Sequence, residues 1–396
     1  MKNFLLFICS ISFPLLVFEI FISINELDKF PSKEHKKVFK TDRIEDKKLG
    51  EIAKSEGFEP YYFPDEVSAY ASKYNIYPIG SLPYKNAFSC NEGYGLIKYK
   101  TDRFGLRNND NNWESEKLQS LNLFIGDSFI ASECVEEEKR LTNYYQSLSG
   151  INTINLSSGS NSPYEYMALI KHIVKPLNNI NKSKMNVIVV YYDNDNVHEK
   201  INSNNQLIKS SSPINFSSNL NLRINSNYLK ALKNAIKDFE DTGGLERYNE
   251  KAQIRKKVKK FLIKTLKLKA TRLYLGIPLK SSLQHIASKL SIDYFKDTVT
   301  ARSIEKLSLA CNNQCKPYIA YIPQRSNTRL TRNYGDNIKK ISKKYGIQFI
   351  NLIEEFDFTN LDYYSPREGH FSPLGNKEVA KIIFNAIQKK TLEENK

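Results

Sequence analysis

The sequence predicts an α/β protein, a doubly wound parallel sheet in three layers, carrying a helical insertion and an N-terminal transmembrane helix. Three observations predict the layered part. Short apolar runs recur from about residue 116, amphipathic stretches separate them, and the alternation breaks once. The runs are LNLFIG (121–126), INTINL (151–156), NVIVVYY (186–192), PYIAYI (317–322) and IQFINLI (347–353). Each is apolar without strict alternation, which is what a strand buried on both faces requires.

The stretches between them, 138–149, 163–178, 299–313, 332–345 and 374–389, read as helices. In the last, Val379, Ile382, Ile383 and Ile387 recur at helical spacing. Strands alternating with helices join through right-handed crossovers, so the helices cover both faces of a parallel sheet. Loops beyond the carboxyl ends of such strands are where ligands bind.

The break spans about 198–298, where nothing strand-like fits and a Ser/Asn-rich piece leads into two helical stretches. The second holds IRKKVKKFLIKTLKLKATRL (254–273), with nine Lys or Arg and no acid. One apolar stripe on an otherwise solvated helix accounts for it, and a membrane-surface helix is the rival reading.

At the amino terminus FLLFICSISFPLLVFEIFISI (4–24) is a 21-residue run with one charge, Glu19. About 20 apolar residues cross a bilayer core, and no small-residue cleavage site closes the run, so it reads as an uncleaved anchor. The expected division is therefore an anchor at 1–25, a stalk and membrane-proximal ordered region at 26–115, and the layered domain at 116–396. Lysines after the span argue for a cytoplasmic domain. Four cysteines outside the anchor, Cys90, Cys134, Cys311 and Cys315, argue for an oxidising, extracytoplasmic one, with their pairing open. The extracytoplasmic side is the one expected.

Lys and Arg exceed Asp and Glu by 59 to 43. The excess is scattered lysine, with neither zinc-finger spacing nor a basic stripe interleaved with aromatics, so no nucleic-acid partner is expected. Without His-x-x-x-His, Cys-x-x-Cys or a glycine-rich phosphate loop, neither metal nor cofactor is expected.

Four residues stand where the apolar runs end or the last helix begins. Ser128 follows the first run in Gly126-Asp127-Ser128, and Gly159 follows the second in NLSSGSNSP (155–163). Asn194 follows the third in VVYYDNDN (189–196), and His370 lies in EGHFSPLGN (368–376) before the final helix. A serine hydroxyl needs a base before it attacks an acyl carbon, and His370 is the one histidine of five in a loop entering such a helix. An oxyanion needs preorganised donors, which the backbone N–H groups of Ser128 and Gly159 and the amide of Asn194 would supply.

These blocks, in this order, resemble the SGNH hydrolases, or GDSL-type esterases. FIGDSF is similar to the first block of that family and EGHFSPLGN to the last. TDRFGLRN (101–108) and the apolar amino terminus are similar to membrane-tethered bacterial members, some of which move O-acetyl groups on cell-surface polysaccharides. The resemblance implies a flavodoxin-like sheet and acyl transfer through an acyl-serine intermediate, on an acylated glycan or another ester. The family's usual acid position, three before the histidine, is Arg367 here. Tethered relatives carry the acid two before, which makes Glu368 the expected partner of His370, with Asp362 in reserve. A non-catalytic glycan-binding or scaffold protein on the same fold is the rival expectation.

Overall fold

The structure is a computed structural model and describes residues 45–180, 185–193, 195, 210–216, 220–244, 298–312, 315–323, 329–367 and 369–394. The apolar run at 4–24, the basic stretch at 254–273, Asn194 and Glu368 lie outside them. Among the described residues no helix is long and apolar enough to cross a membrane. The site described below lies within one compact unit, Lys48–Phe239 with Asp293–Lys396.

Three short strands precede the layered part: β1 (Glu59–Pro60), β2 (Asn86–Phe88) and β3 (Lys98–Lys100). Strand β2 pairs parallel with β1 and antiparallel with β3, and helix α1 (Pro64–Ala71) follows β1. The main sheet comprises β4 (Leu121–Ile125), β5 (Asn152–Asn155), β6 (Met185–Tyr192), β9 (Cys315–Ile322) and β10 (Gln348–Asn351). Each coincides with one of the five apolar runs. Between β6 and β9 a minimal hairpin of β7 (Ile214–Asn215) and β8 (Arg223–Ile224) sits in the segment expected to hold no strand. Two residues per strand are too few for a hydropathy pattern to register.

All main-sheet pairs are parallel, in the order β10-β9-β6-β4-β5. Counted within the sheet this is 2-1-3-4-5, the flavodoxin-like doubly wound order, which reverses between β4 and β6. The carboxyl end of β4 therefore opens onto the crevice where such folds bind their ligands.

Further helices among the described residues include α2 (Ser128–Ala131), α3 (Leu141–Ser149), α4 (Pro163–Leu169), α5 (Lys175–Ile180), α6 (Ser226–Asp241), α7 (Val299–Cys311), α8 (Arg329–Lys344), α9 (Leu352–Glu355) and α10 (Pro373–Glu394). Strand pleating sorts side chains between two layers. Ile188 and Val190 of β6 join Ala320 and Ile322 of β9 in a core with Tyr145 of α3 and Val379 and Ile383 of α10. Tyr191 points the opposite way, its hydroxyl 2.7 Å from Ser303 of α7 and its ring 5.4 Å from Tyr166 of α4. Tyr321 of β9 likewise meets Tyr334 of α8 at 5.7 Å. One helical layer lies on each face.

The TDRFGLRN segment explains itself through buried polar groups. The carboxylate of Asp102, fully buried, accepts from the backbone of Phe104 and Leu106 (both 2.9 Å), from Asn108 Nδ2 (3.0 Å) and from Trp113 Nε1 (2.7 Å). Burial nevertheless pushes its pKa up to about 6. Asn108 exchanges two hydrogen bonds with the backbone of Asn155, extending the edge at β5. Asp102→Ala leaves several of these donors unpaired in the interior, at about 1–3 kcal/mol each. The expected result is a loss of at least about 3 kcal/mol in denaturant unfolding.

Candidate active site

Strand β4 is buried along its whole length and breaks at Gly126. A Cβ there would come within 2.6 Å of Ile130 in the helix that folds back over it. Asp127 then caps α2, its carboxylate accepting from Phe129 N at 3.0 Å. Ser128 is the first helical residue and is half-buried. Gly-Asp-Ser is thus a close approach, a cap and a presented hydroxyl.

His370 arrives from the loop before α10. Its Nε2 lies 2.7 Å from Ser128 Oγ, so two residues 242 apart in the chain meet in one hydrogen bond. The ring is packed edge-on against Phe129, 5.1 Å between centroids. Phe129 in turn stacks on Tyr192 at the end of β6.

The acid facing His370 corrects the sequence reading. Nδ1 is 2.6 Å from Glu92 Oε1, and the other oxygen of Glu92 accepts from His370 N at 3.0 Å. Both carboxylate oxygens thus fix the histidine, one on the ring and one on the backbone. Glu368, the expected partner, lies outside the described residues, and the Nδ1 position assigned to it is taken. The reserve candidate Asp362 has an exposed side chain and is held through its backbone, the carbonyl accepting from Ser372 Oγ.

Arg367, three residues before the histidine, explains how Glu92 gets there. Its guanidinium donates to the Asn91 carbonyl at 2.8 Å, and its backbone N–H to the Glu92 carbonyl at 3.3 Å. Gly369 is as necessary, since a Cβ there would come within 1.9 Å of Glu92 Oε1. Arg367, Gly369 and His370 together receive an acid from elsewhere in the chain.

Disulfides complete the assembly. Cys90 pairs with Cys134, and Cys311 with Cys315. The first ties the loop of Glu92 to the segment following α2. Cys134 Sγ, Glu92 and His370 have potential ligand atoms within 4.8 Å of one another, but the sulfur is bound in the disulfide and Nδ1 is engaged by Glu92. Closing a loop of 44 residues removes about 4 kcal/mol of unfolded-state entropy in the chain-entropy account. A Cys90→Ser/Cys134→Ser variant is expected to lose turnover roughly 100-fold, the scale of an ångström's misplacement. The control is Cys311→Ser/Cys315→Ser, which severs only the junction of α7 and β9.

Electrostatics match the geometry. Burial alone would push the Glu92 carboxyl up; the hydrogen bond and charge of His370, with help from Ser365, hold it below the ordinary carboxylate value. Burial would likewise lower His370, but the hydrogen bond and charge of Glu92, with the charges of Glu133 and Asp127, raise it above 6.5. Asp127 and Asp195, both buried, are raised by burial, and their mutual repulsion adds to this in Asp195. Asp195 accepts from Tyr192 N and from the hydroxyl of Tyr166.

Of the three expected oxyanion donors, Ser128 N belongs to the first residue of α2. Asn194 is outside the described residues. Gly159 N donates to the carboxylate of Glu133 at 2.5 Å. Sequence reasoning missed both Glu92 and Glu133. The signal available was Cys90 two places before Glu92 and Cys134 one place after Glu133, provided their pairing had been known.

No protein-family model and no curated protein matches the sequence. Solved structures do. The psychrotrophic esterase EstA from Pseudoalteromonas sp. matches at 9% identity over 69% of this chain and 98% of its own, with a TM-score of 0.35. A structure described as a lipolytic protein of the G-D-S-L family from Desulfitobacterium hafniense DCB-2 matches at 12% identity, over 67% and 99%, with a TM-score of 0.33. TesA matches at 8% identity, over 68% and 99%, with a TM-score of 0.33.

Proposed function

We propose that this protein is an SGNH-type serine esterase or O-acyltransferase, working through an acyl-serine intermediate on Ser128. The observation that carries this reading is the continuous relay from Glu92 through His370 to Ser128, at 2.6 and 2.7 Å. A buried structural histidine has no need of a half-exposed serine on one nitrogen and a carboxylate gripping it twice on the other side.

In the first half-reaction Ser128 Oγ bonds to the acyl carbon while its proton passes to His370 Nε2. The carbonyl π pair moves onto oxygen and is held by donors in the pocket. Glu92 keeps Nδ1 protonated, fixes the ring and stabilises the imidazolium, without itself taking the proton. The intermediate collapses as the bond to the leaving alcohol breaks and His370 returns its proton to that oxygen. Water then repeats the sequence for hydrolysis, or a sugar hydroxyl does so for transfer.

The finer reading is an O-acetyl or other short acyl group on a cell-surface glycan, handled by an enzyme tethered outside the cytoplasm. Its support is the apolar run at 4–24, the TDRFGLRN resemblance and two disulfides. A cleft of about 380 Å³ beside the His370 loop sets Tyr94, Leu361, Tyr364 and Pro366 next to Asp362, Ser365 and Ser372, a mixed aromatic and polar wall of the kind a sugar ring packs against. The rival is a non-catalytic scaffold, for which Arg367 at the usual acid position would speak; here Arg367 holds the Asn91–Glu92 loop, and Glu92 supplies the acid.

The test is a serine-directed phosphonate with p-nitrophenyl acetate as reporter. One adduct on Ser128 and Ser128-dependent release of nitrophenol are expected. Absence of both from the folded full-length protein ends the esterase reading.

A further inference from the structure

The relay accounts for Ser128, His370 and Glu92 but leaves a buried acid unused. Glu133 sits five residues after the nucleophile, 8% exposed, with its carboxylate on the N–H of Gly159. An oxyanion pocket needs donors. Here the donor that the sequence offered is covered by an acceptor, and an ionised carboxylate at that point opposes a developing negative charge.

What opposes ionisation is burial. Arg107 is nearby, but its guanidinium goes to the carbonyls of Ser132, Glu133 and Val135 and to the carboxylate of Glu137. No guanidinium or ammonium group of the described residues makes an ion pair with Glu133. The groups that bear on it from the packed elements are mostly acidic or neutral. Asp127 acts from the start of α2, Glu66 from α1, and Tyr61 and Tyr99 from the small sheet. His370 faces it from the loop before α10 and favours its ionised form, as Arg107 does. Burial outweighs these and brings the Glu133 carboxyl up to about 7.

We propose that Glu133 is a catalytic residue that works in its protonated form, its hydroxyl donating to the oxyanion in place of the Gly159 N–H that it covers. The inference rests on the acyl-serine reading and deepens it. One proton shared between Glu133 and His370 then defines two forms of equal net charge. With the proton on His370 and Glu133 ionised, the base is blocked and the pocket repels the transition state. With the proton on Glu133, the imidazole is free to take the serine proton and a donor faces the acyl oxygen. Gly159 N–H still contributes, because its bond to one carboxyl oxygen polarises the O–H on the other. Keeping a carboxylic acid neutral so that it can donate is established chemistry in apolar sites.

The sign of the pH dependence follows. Activity requires Glu133 protonated, so kcat/KM falls on the alkaline side as Glu133 ionises, and on the acid side as His370 takes up a proton. The experiment is the pH profile of kcat/KM for p-nitrophenyl acetate with the full-length protein, Glu133→Gln and Glu133→Ala. Phosphonate labelling of Ser128 and thermal melting are measured alongside. A bell is expected for the wild type. Glu133→Gln, a permanent donor of nearly the same shape, is expected to lose the alkaline limb while keeping at least about a tenth of peak activity. Glu133→Ala is expected to lose 10²–10³-fold in kcat, on the scale of one oxyanion donor.

A wild-type profile without an alkaline limb overturns the proposal, as does a limb unchanged in Glu133→Gln. So does Glu133→Ala with activity equal to or above wild type, which would make the carboxylate an obstruction. In each of these cases labelling of Ser128 persists and the esterase reading stands; loss of wild-type labelling and turnover removes that reading instead.

Discussion

Ser128→Ala is expected to lower turnover of a short acyl ester by about 10⁴-fold or more, the scale on which removing the nucleophile of a relay acts. The structure gives the reason. Ser128 Oγ is the group on His370 Nε2, at 2.7 Å, and no alanine atom can take its place. Stability should change little, because the side chain is half-exposed and the cap of α2 belongs to Asp127. Steady-state kinetics with p-nitrophenyl acetate, alongside a melting curve, checks both halves. Retained turnover in Ser128→Ala would falsify the assignment of the nucleophile.

Glu92→Gln carries the second large effect, a fall in kcat of about 10²–10⁴-fold. An amide at this position can present its NH₂ to Nδ1, which favours the wrong tautomer of the imidazole. The pH profile should move as well. His370 is raised above 6.5 by the hydrogen bond and charge of Glu92 against the lowering effect of burial. The base is the neutral form, so the acid limb of wild-type kcat/KM should lie above 6.5 and shift to lower pH in Glu92→Gln. Glu368→Gln measured in parallel distinguishes the two acids: it is expected to keep both the rate and the limb. A loss confined to Glu368→Gln would return the role to the residue that the sequence favoured.

The parts of the molecule legible from sequence are those written in local patterns. Five apolar runs became five strands because burial on both faces demands unbroken hydrophobicity. Ser128 was legible because a close approach, a cap and a nucleophile fall in three consecutive residues. His370 was found because it precedes a strongly periodic helix. Glu92 was not, for a physical reason. It lies 278 residues from its partner, on a loop whose position depends on a disulfide and on Arg367, and neither contact has a periodicity to betray it. Glu133 was hidden differently. It leads into the acidic run Glu136–Glu138, which reads as solvated surface, yet the Cys134 bridge and the Arg107 clamp hold its own side chain in the interior.

The origin of Glu92 bears on how the molecule can be cut. The loop between β2 and β3 comes before the sheet that bears Ser128 and His370, so the layered fold as bounded at 116–396 holds a nucleophile and a base without the carboxylate that aligns them. Excising it would also strand Cys134 as a lone thiol beside an uncoupled imidazole. Grafting this chemistry onto another scaffold therefore means carrying the upstream platform with it.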